Sequence, residues 1–227
     1  MPSAPDRSII CYVTDRKALG ARDPVEKLVD QIRAAMAAGT DWVQVREKDL
    51  TARALLELVR KAVEITTERG VGAGGRVVVN DRIDVALASD AHGVHLGHES
   101  IPAREAVRWC RSGNAPADFF VGVSCHSLEE ARQAERDGAS YVFFGPIFET
   151  PSKAAFGRPQ GIEKLGEACR GVKIPVIAIG GVNEKNSIAC IRAGAAGIAA
   201  IRLFQETRTG GGLEDAVQRI RNSGKDN

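Results

Sequence analysis

The pentapeptide Gln44-Val45-Arg46-Glu47-Lys48 closes a short apolar run. In an extended chain Gln44, Arg46 and Lys48 share one face while Val45 takes the other. Two cations and an amide on one face suit a phosphate or diphosphate, because Arg offers a planar fork of donors and Lys a compact charge. A salt bridge to Glu47 would give the same residues a purely structural role. Asn80-Asp81-Arg82 ends another apolar run, and a carboxylate beside an amide is an oxygen ligand set that Mg²⁺ accepts when phosphate oxygens complete its shell. The same pair also suits the N-cap of a helix over Arg82 to Ala88. Ser124 and His126 alternate across Cys125 and fit either a catalytic rim or a surface loop, while Ser127 with Glu130 makes a capping box. The longest loop, residues 145–161, carries Thr150, Ser152 and Lys153 among several glycines, as a lid over a site would, or a loop without function. Gly180-Gly181 closes a further run and frees backbone amides for an anion, with Ile201-Arg202 at the end of the next.

Residues this scattered need a scaffold that brings strand ends together. Eight β-branched or apolar runs recur, at Ile9–Val13, Trp42–Val45, Arg76–Val79, Gly93–Leu96, Phe119–Val123, Tyr141–Phe144, Pro175–Ile179 and Gly197–Ile201. Between them, stretches such as Pro24–Ala38, Ala52–Arg69 and Ser127–Asp137 space apolar residues three and four apart, as amphipathic helices do. A helix end running into the next strand recurs around Gly39, Ala91, Gly138 and Gly194, at intervals of about 50 residues that each fit two βα units. The pattern predicts an α/β protein, a single-domain (β/α)₈ barrel of the TIM type over residues 1–227, with an open doubly wound sheet as the alternative. In such a barrel the active site lies at the C-terminal ends of the strands, where the polar residues above are found. A short closing helix is expected from about Leu213 to Arg221.

Composition agrees with this scaffold and narrows the partners. The 227 residues are 44% apolar and 26% charged, which fits a folded chain with a core large enough to need no disulfide or structural metal. The formal charge is only +2, and the cations form no tract, so nucleic acid is not an expected partner. Five cysteines without a CxxC pair read as small apolar residues in a reducing compartment. Neither a signal peptide nor an apolar run of membrane length is expected, which predicts a cytoplasmic protein with no membrane partner. A homo-oligomer is compatible with the sequence, which does not specify one.

Taken together, QVREK at 44–48, NDR at 80–82, GVHLG at 93–97, VSCHS at 123–127, FGPIFETPSK at 144–153 and AIGGV at 178–182 resemble the thiamine phosphate synthase and thiazole tautomerase superfamily, the synthase branch most closely. The resemblance runs in order from about residue 9 to 204. It implies condensation of hydroxymethylpyrimidine diphosphate with thiazole phosphate by a dissociative route, with diphosphate released. It also implies small phosphorylated pyrimidine and thiazole substrates and Mg²⁺ as cofactor. By the same resemblance Arg46, Lys48 and Lys153 hold diphosphate, Asp81 ligates Mg²⁺, Gln44 and Asn80 orient the pyrimidine, and Ser124 lies near the leaving group. Thr150, Ser152, Gly181 and the amides of Ile201 and Arg202 match positions for the thiazole phosphate.

Two positions depart from the synthase pattern. Where that branch carries its second Mg²⁺ carboxylate, this chain has Ser100, with Glu99 or a water left to replace it. Arg202 stands where a Ser is usual. The tautomerase branch shares HSLEEA at 126–131 and FET at 148–150, and its resemblance makes His126 a proton-transfer group, a role open to an imidazole near neutral pH. Binding of thiazole or thiamine phosphates without turnover is a third reading.

Overall fold

The computed structural model describes residues 8–20, 22–68, 71, 74–150, 159–206 and 212–222. Among the described residues eight parallel strands close into a barrel in sequence order. They are β1 (Ile9–Val13), β2 (Trp42–Val45), β3 (Arg76–Asn80), β4 (Gly93–Leu96), β5 (Phe120–Cys125), β6 (Tyr141–Phe144), β7 (Val176–Ile179) and β8 (Gly197–Ala200). The ring is completed where β1 pairs with β8, Ile9 opposite Gly197. Helices between the strands are α1 (Pro24–Ala37), α2 (Ala52–Thr67), α3 (Ile83–Ala88), α4 (Ala103–Trp109), α5 (Leu128–Arg136), α6 (Gly161–Gly171), α7 (Ser187–Arg192) and α8 (Arg202–Glu206), with α9 (Gly212–Asn222) last. The (β/α)₈ architecture read from the strand and helix periods is the one observed.

Local chemistry explains the helix starts. Asp23 accepts the amides of Val25 and Glu26 ahead of α1, whose first residue is Pro24. Thr51 accepts the amide of Ala54 to start α2. Ser127 accepts the amide of Glu130 to start α5, and the Glu130 carboxylate reaches the amide of His126, one residue before the cap. The cap at 127 is therefore as expected, with the reciprocal bond displaced by one position. β5 starts one residue later than its apolar run and continues two further, because Ser124 and Cys125 find partners in Phe143 and Phe144 on β6.

Each strand is buried on both faces, which is why the strands read as continuous apolar runs. Outward residues such as Val43, Val79, Val142 and Ile198 pack under the helices in the main core. Inward residues form a separate cluster that includes Cys11, Val78, Phe120, Tyr141 and Ile177. An aromatic layer fills the barrel: Trp42 stacks on Phe120 at 5.6 Å between centroids and meets the edge of Tyr141 at 4.9 Å. Tyr141 fits because its neighbour in register, Gly122, has no side chain; a Cβ there would lie 2.1 Å from the ring. At the same N-terminal end of the strands, Arg221 of α9 bonds the carbonyl of Gly39 and sits 3.0 Å from Asp41, which also accepts the Ile10 amide.

All five cysteines are free. Cys11, Cys110, Cys125 and Cys190 are buried and Cys169 is half-buried. Burial pushes the Cys125 and Cys190 thiols up to about 12. No helix among the described residues is long and apolar enough to cross a membrane.

Candidate active site

The C-terminal rim begins at β2. Gln44 points into the barrel and is buried, while Val45 packs outward. Beyond the strand the charges sort themselves by partner. Glu47, 5% exposed, accepts the Thr14 hydroxyl at 2.7 Å, the Arg16 amide at 3.1 Å and the Arg16 guanidinium at 2.9 Å. Asp49 takes the other side of that guanidinium at 2.7 and 2.8 Å and the Lys17 ammonium at 2.9 Å. The hydrogen bonds from Arg16 and Lys17 hold the Asp49 carboxyl well below the usual carboxylate range. Both acidic residues of the segment are thus committed to the turn after β1. The Glu47 carboxylate bonds Arg16 and Thr14, so the salt bridge weighed for it within its own pentapeptide is not formed. Arg46 and Lys48 have no carboxylate partner among the described residues; Arg46 is half-buried and Lys48 exposed.

At the end of β3, amides and a carboxylate form a chain. Gln44 Nε2 donates to Asn80 Oδ1 at 3.4 Å, and Asn80 Nδ2 donates to Asp81 Oδ2 at 2.9 Å. The other oxygen of Asp81 accepts the Ser100 hydroxyl, whose own oxygen accepts the Gly97 amide at 2.6 Å. Asp81 has φ +62°, a left-handed backbone that Asp tolerates better than most residues, and its amide donates to the His95 carbonyl at 2.9 Å. The alternative of a helix cap is not realised: α3 starts after Arg82 without a side-chain cap bond. Glu99 and His98 are exposed on the loop that carries Ser100.

Inside the barrel Ser124 of β5 belongs to a polar group with His95 and Tyr141, two residues to which the sequence alone assigns no role. Ser124 Oγ is 2.9 Å from His95 Nε2, and His95 Nδ1 is 3.1 Å from the Tyr141 hydroxyl. His95 stands between Val94 and Leu96, so alternation alone turned it inward, and that was the signal available. Arg16, which neutralises Glu47, and Thr14, which donates its hydroxyl to it, carried no comparable signal because Glu47 follows a different strand. His126 sits past the end of β5, half-buried, with Nδ1 bonded to the Gly145 carbonyl.

The loops after β6 and β7 are knitted together. Ile147 and Phe148 donate to the carbonyls of Ile179 and Gly180 at 2.9 Å each, and Gln160 and Gly161 return to the carbonyls of Pro146 and Ile147. Gly180 and Gly181 have φ +91° and +68°, and a Cβ on either would strike Pro146 or the Glu149 carbonyl at 2.5 to 2.6 Å. These glycines are required first by loop against loop. Thr150 is half-buried at the described edge of this segment. Ser152 and Lys153, and with them residues 151–158 of the expected lid, lie outside the described residues. Ile201 precedes α8 and its carbonyl accepts the Phe204 amide. The Arg202 side chain is exposed and pairs with Glu206 of its own helix at 3.5 Å.

The oxygen ligands on offer at Asp81 are its own carboxylate and the Ser100 hydroxyl, while Asn80 turns its Nδ2 to the carboxylate and its Oδ1 to Gln44. With no cationic side chain against that carboxylate among the described residues, the set fits Mg²⁺, which is often held by one or two carboxylates with phosphate oxygens and water completing the shell. Among the described residues no three His, Cys, Asp or Glu side chains gather as a ready-made metal cage.

A family model described as thiamine monophosphate synthase matches residues 10–204. The chain is 42% identical over 201 residues to a thiamine-phosphate synthase of Roseiflexus castenholzii, covering 88% of this chain and 82% of the relative. It is 44% identical over 190 residues to one of Moorella thermoacetica, covering 84% and 85%. Among solved structures it is similar to thiamine phosphate pyrophosphorylase from Pyrococcus furiosus, with a TM-score of 0.78, 32% identity and 96% of each chain covered.

Proposed function

From its membership of the thiamine monophosphate synthase family, to which the chain belongs, we infer that it is a transferase that makes thiamine phosphate. We propose that it joins hydroxymethylpyrimidine diphosphate to thiazole phosphate. The bond between the pyrimidine methylene carbon and the diphosphate oxygen breaks with its electron pair leaving on diphosphate, and the thiazole nitrogen lone pair forms the new C–N bond. The observation that carries this reading is the pair Arg46 and Lys48, which has no carboxylate partner among the described residues while Glu47 and Asp49 are engaged by Arg16.

Such a reaction asks the protein to hold charge on the leaving group and to keep water from the carbon cation. Arg46, Lys48 and Lys153 bind the diphosphate, and Ser124 adds a hydroxyl beside it. Gln44 and Asn80, already linked to each other, orient the pyrimidine by their amides. Thr150, Ser152, Gly181 and the amides of Ile201 and Arg202 take the thiazole phosphate; the exposed Arg202 guanidinium pairs with Glu206 of its own helix. Asp81 would hold Mg²⁺ with the Ser100 hydroxyl and with Glu99 on the same loop. When bound, Mg²⁺ supplies neutralising charge to the diphosphate. The segment 145–161 acts as the lid that excludes water, anchored at its base on β7. Acting on small phosphorylated molecules, the enzyme works in the cytoplasm.

The test is direct: purified protein given both substrates and Mg²⁺ should form thiamine phosphate and diphosphate. Binding of both substrates without product would overturn the reading. One observation favours a second reading, a metal-independent thiazole isomerisation. His126 Nδ1 donates to the Gly145 carbonyl, which leaves Nε2 with a lone pair for proton transfer. Isomerisation that collapses in His126→Ala, without thiamine phosphate formation, would select it.

A further inference from the structure

His95, Gly122 and Tyr141 lie in one row across β4, β5 and β6, each the register partner of the next. His95 and Tyr141 are each 2% exposed, and neither has a part in the roles above. The His95 ring stacks near Phe143 at 4.3 Å between centroids, with Nδ1 toward the Tyr141 hydroxyl at 3.1 Å and Nε2 toward Ser124 Oγ at 2.9 Å.

The direction of these hydrogen bonds follows from counting protons. A neutral imidazole has one N–H and one lone pair, so one nitrogen donates and the other accepts. Burial pushes the Tyr141 hydroxyl well above its ordinary range, so it stays an O–H. Among the described residues the hydrogen-bond partner of that hydroxyl is His95 Nδ1. If Nδ1 carried the proton, the Tyr141 O–H would be left buried among the rings of Trp42 and Phe143, a loss of about 1–3 kcal/mol. Tyr141 therefore donates to Nδ1, the proton of His95 sits on Nε2, and Nε2–H donates to Ser124. With its oxygen engaged from below, Ser124 has its own proton to offer toward the mouth.

We infer that Tyr141 and His95 are positioning residues that hold Ser124 as a hydrogen-bond donor toward the leaving diphosphate. No proton is transferred; a hydroxyl already oriented toward the oxygen that gains charge needs no reorganisation during bond cleavage. The inference rests on the site reading in which Ser124 faces the leaving group.

Ring ¹⁵N NMR of the full chain without substrate should show His95 with Nε2 protonated and Nδ1 unprotonated, and Tyr141→Phe should shift that balance toward Nδ1–H. In kinetics, His95→Leu should lower kcat/KM about tenfold, mainly through kcat, as expected for loss of one oriented hydrogen bond. His95→Gln, which keeps an N–H for Ser124, should recover most of it, and His95→Leu should cost nothing further in a Ser124→Ala background. Tyr141→Phe keeps the ring packing and leaves the test open if His95→Leu fails to fold. An Nδ1–H tautomer, or an equal cost of His95→Leu in both backgrounds, would overturn the relay while a crippled Ser124→Ala left the site reading standing. Full activity of Ser124→Ala would instead remove Ser124 from the site reading, and the purpose of the relay with it.

Discussion

A single methyl group placed on Gly122 tests how tightly the barrel interior is specified. In Gly122→Ala the new Cβ would lie 2.1 Å from Tyr141 Cζ and 2.4 Å from its hydroxyl oxygen. Ordinary carbon contacts lie at about 3.5–4.0 Å, so the ring must retreat by more than about 1 Å. It has nowhere to go, since Trp42 stands at 4.9 Å and Phe143 at 5.4 Å between centroids. Overpacking of this kind costs about 1–3 kcal/mol. Displacing the hydroxyl also breaks its bond to His95 and leaves buried polar groups unpaired, about 1–3 kcal/mol more. The sum, about 2–6 kcal/mol, corresponds to a fall in Tm of roughly 4–24 °C for a domain of this size. Urea and thermal denaturation of the variant measure it. In a Tyr141→Val background, where the ring is gone, the same methyl should cost under about 1 kcal/mol. A variant within about 0.5 kcal/mol of the parent, or an equal cost in both backgrounds, would refute the packing argument.

Three further outcomes are expected. Arg46→Ala should weaken inorganic diphosphate binding, with Mg²⁺ present, by about 10- to 100-fold, the worth of one charge-assisted hydrogen bond. Lys48→Ala, at an exposed position, should cost less and lose its effect as salt is raised; calorimetry that ranked them the other way would contradict the site. Glu47→Ala leaves the Thr14 hydroxyl and Arg16 without their buried acceptor and should destabilise the fold by about 2–4 kcal/mol in urea titrations. Burial raises Cys125 and Cys190 to about 12 and Cys169 to about 11 from 9. The folded chain thus retains protons that the unfolded chain releases above pH 9. Stability should be complete below that point and decline as pH rises toward 12. Urea midpoints at about pH 8 and about pH 10 check the sign, and a flat profile would show the thiols to be accessible.

The barrel was legible in the sequence because parallel strands covered on both faces must be apolar throughout, and the helices between them must be apolar on one side. The eight runs therefore marked eight strands to within one or two residues, even at β5, where pairing with β6 decides the end. Alternation also sent Gln44 and Val45 to opposite faces. The choice of partner was not legible. Glu47 was available to Arg46 and Lys48 by proximity in the chain, yet it bonds Thr14 and Arg16 because β1 lies beside β2. Gly180 and Gly181 looked like an anion cradle, and the loop after β6 turns out to press on both.

What the sequence by itself determined is the period of each element and the side of each strand, since these follow from local geometry and burial. What only the tertiary structure decided is which polar group meets which: Ser100 on Asp81, Asn80 between Gln44 and Asp81, and Tyr141 beneath His95 and Ser124. Apart from that between the neighbours Asn80 and Asp81, those contacts join residues from different strands and loops, and strand order with register, properties of the closed sheet, sets the few ångströms that make them.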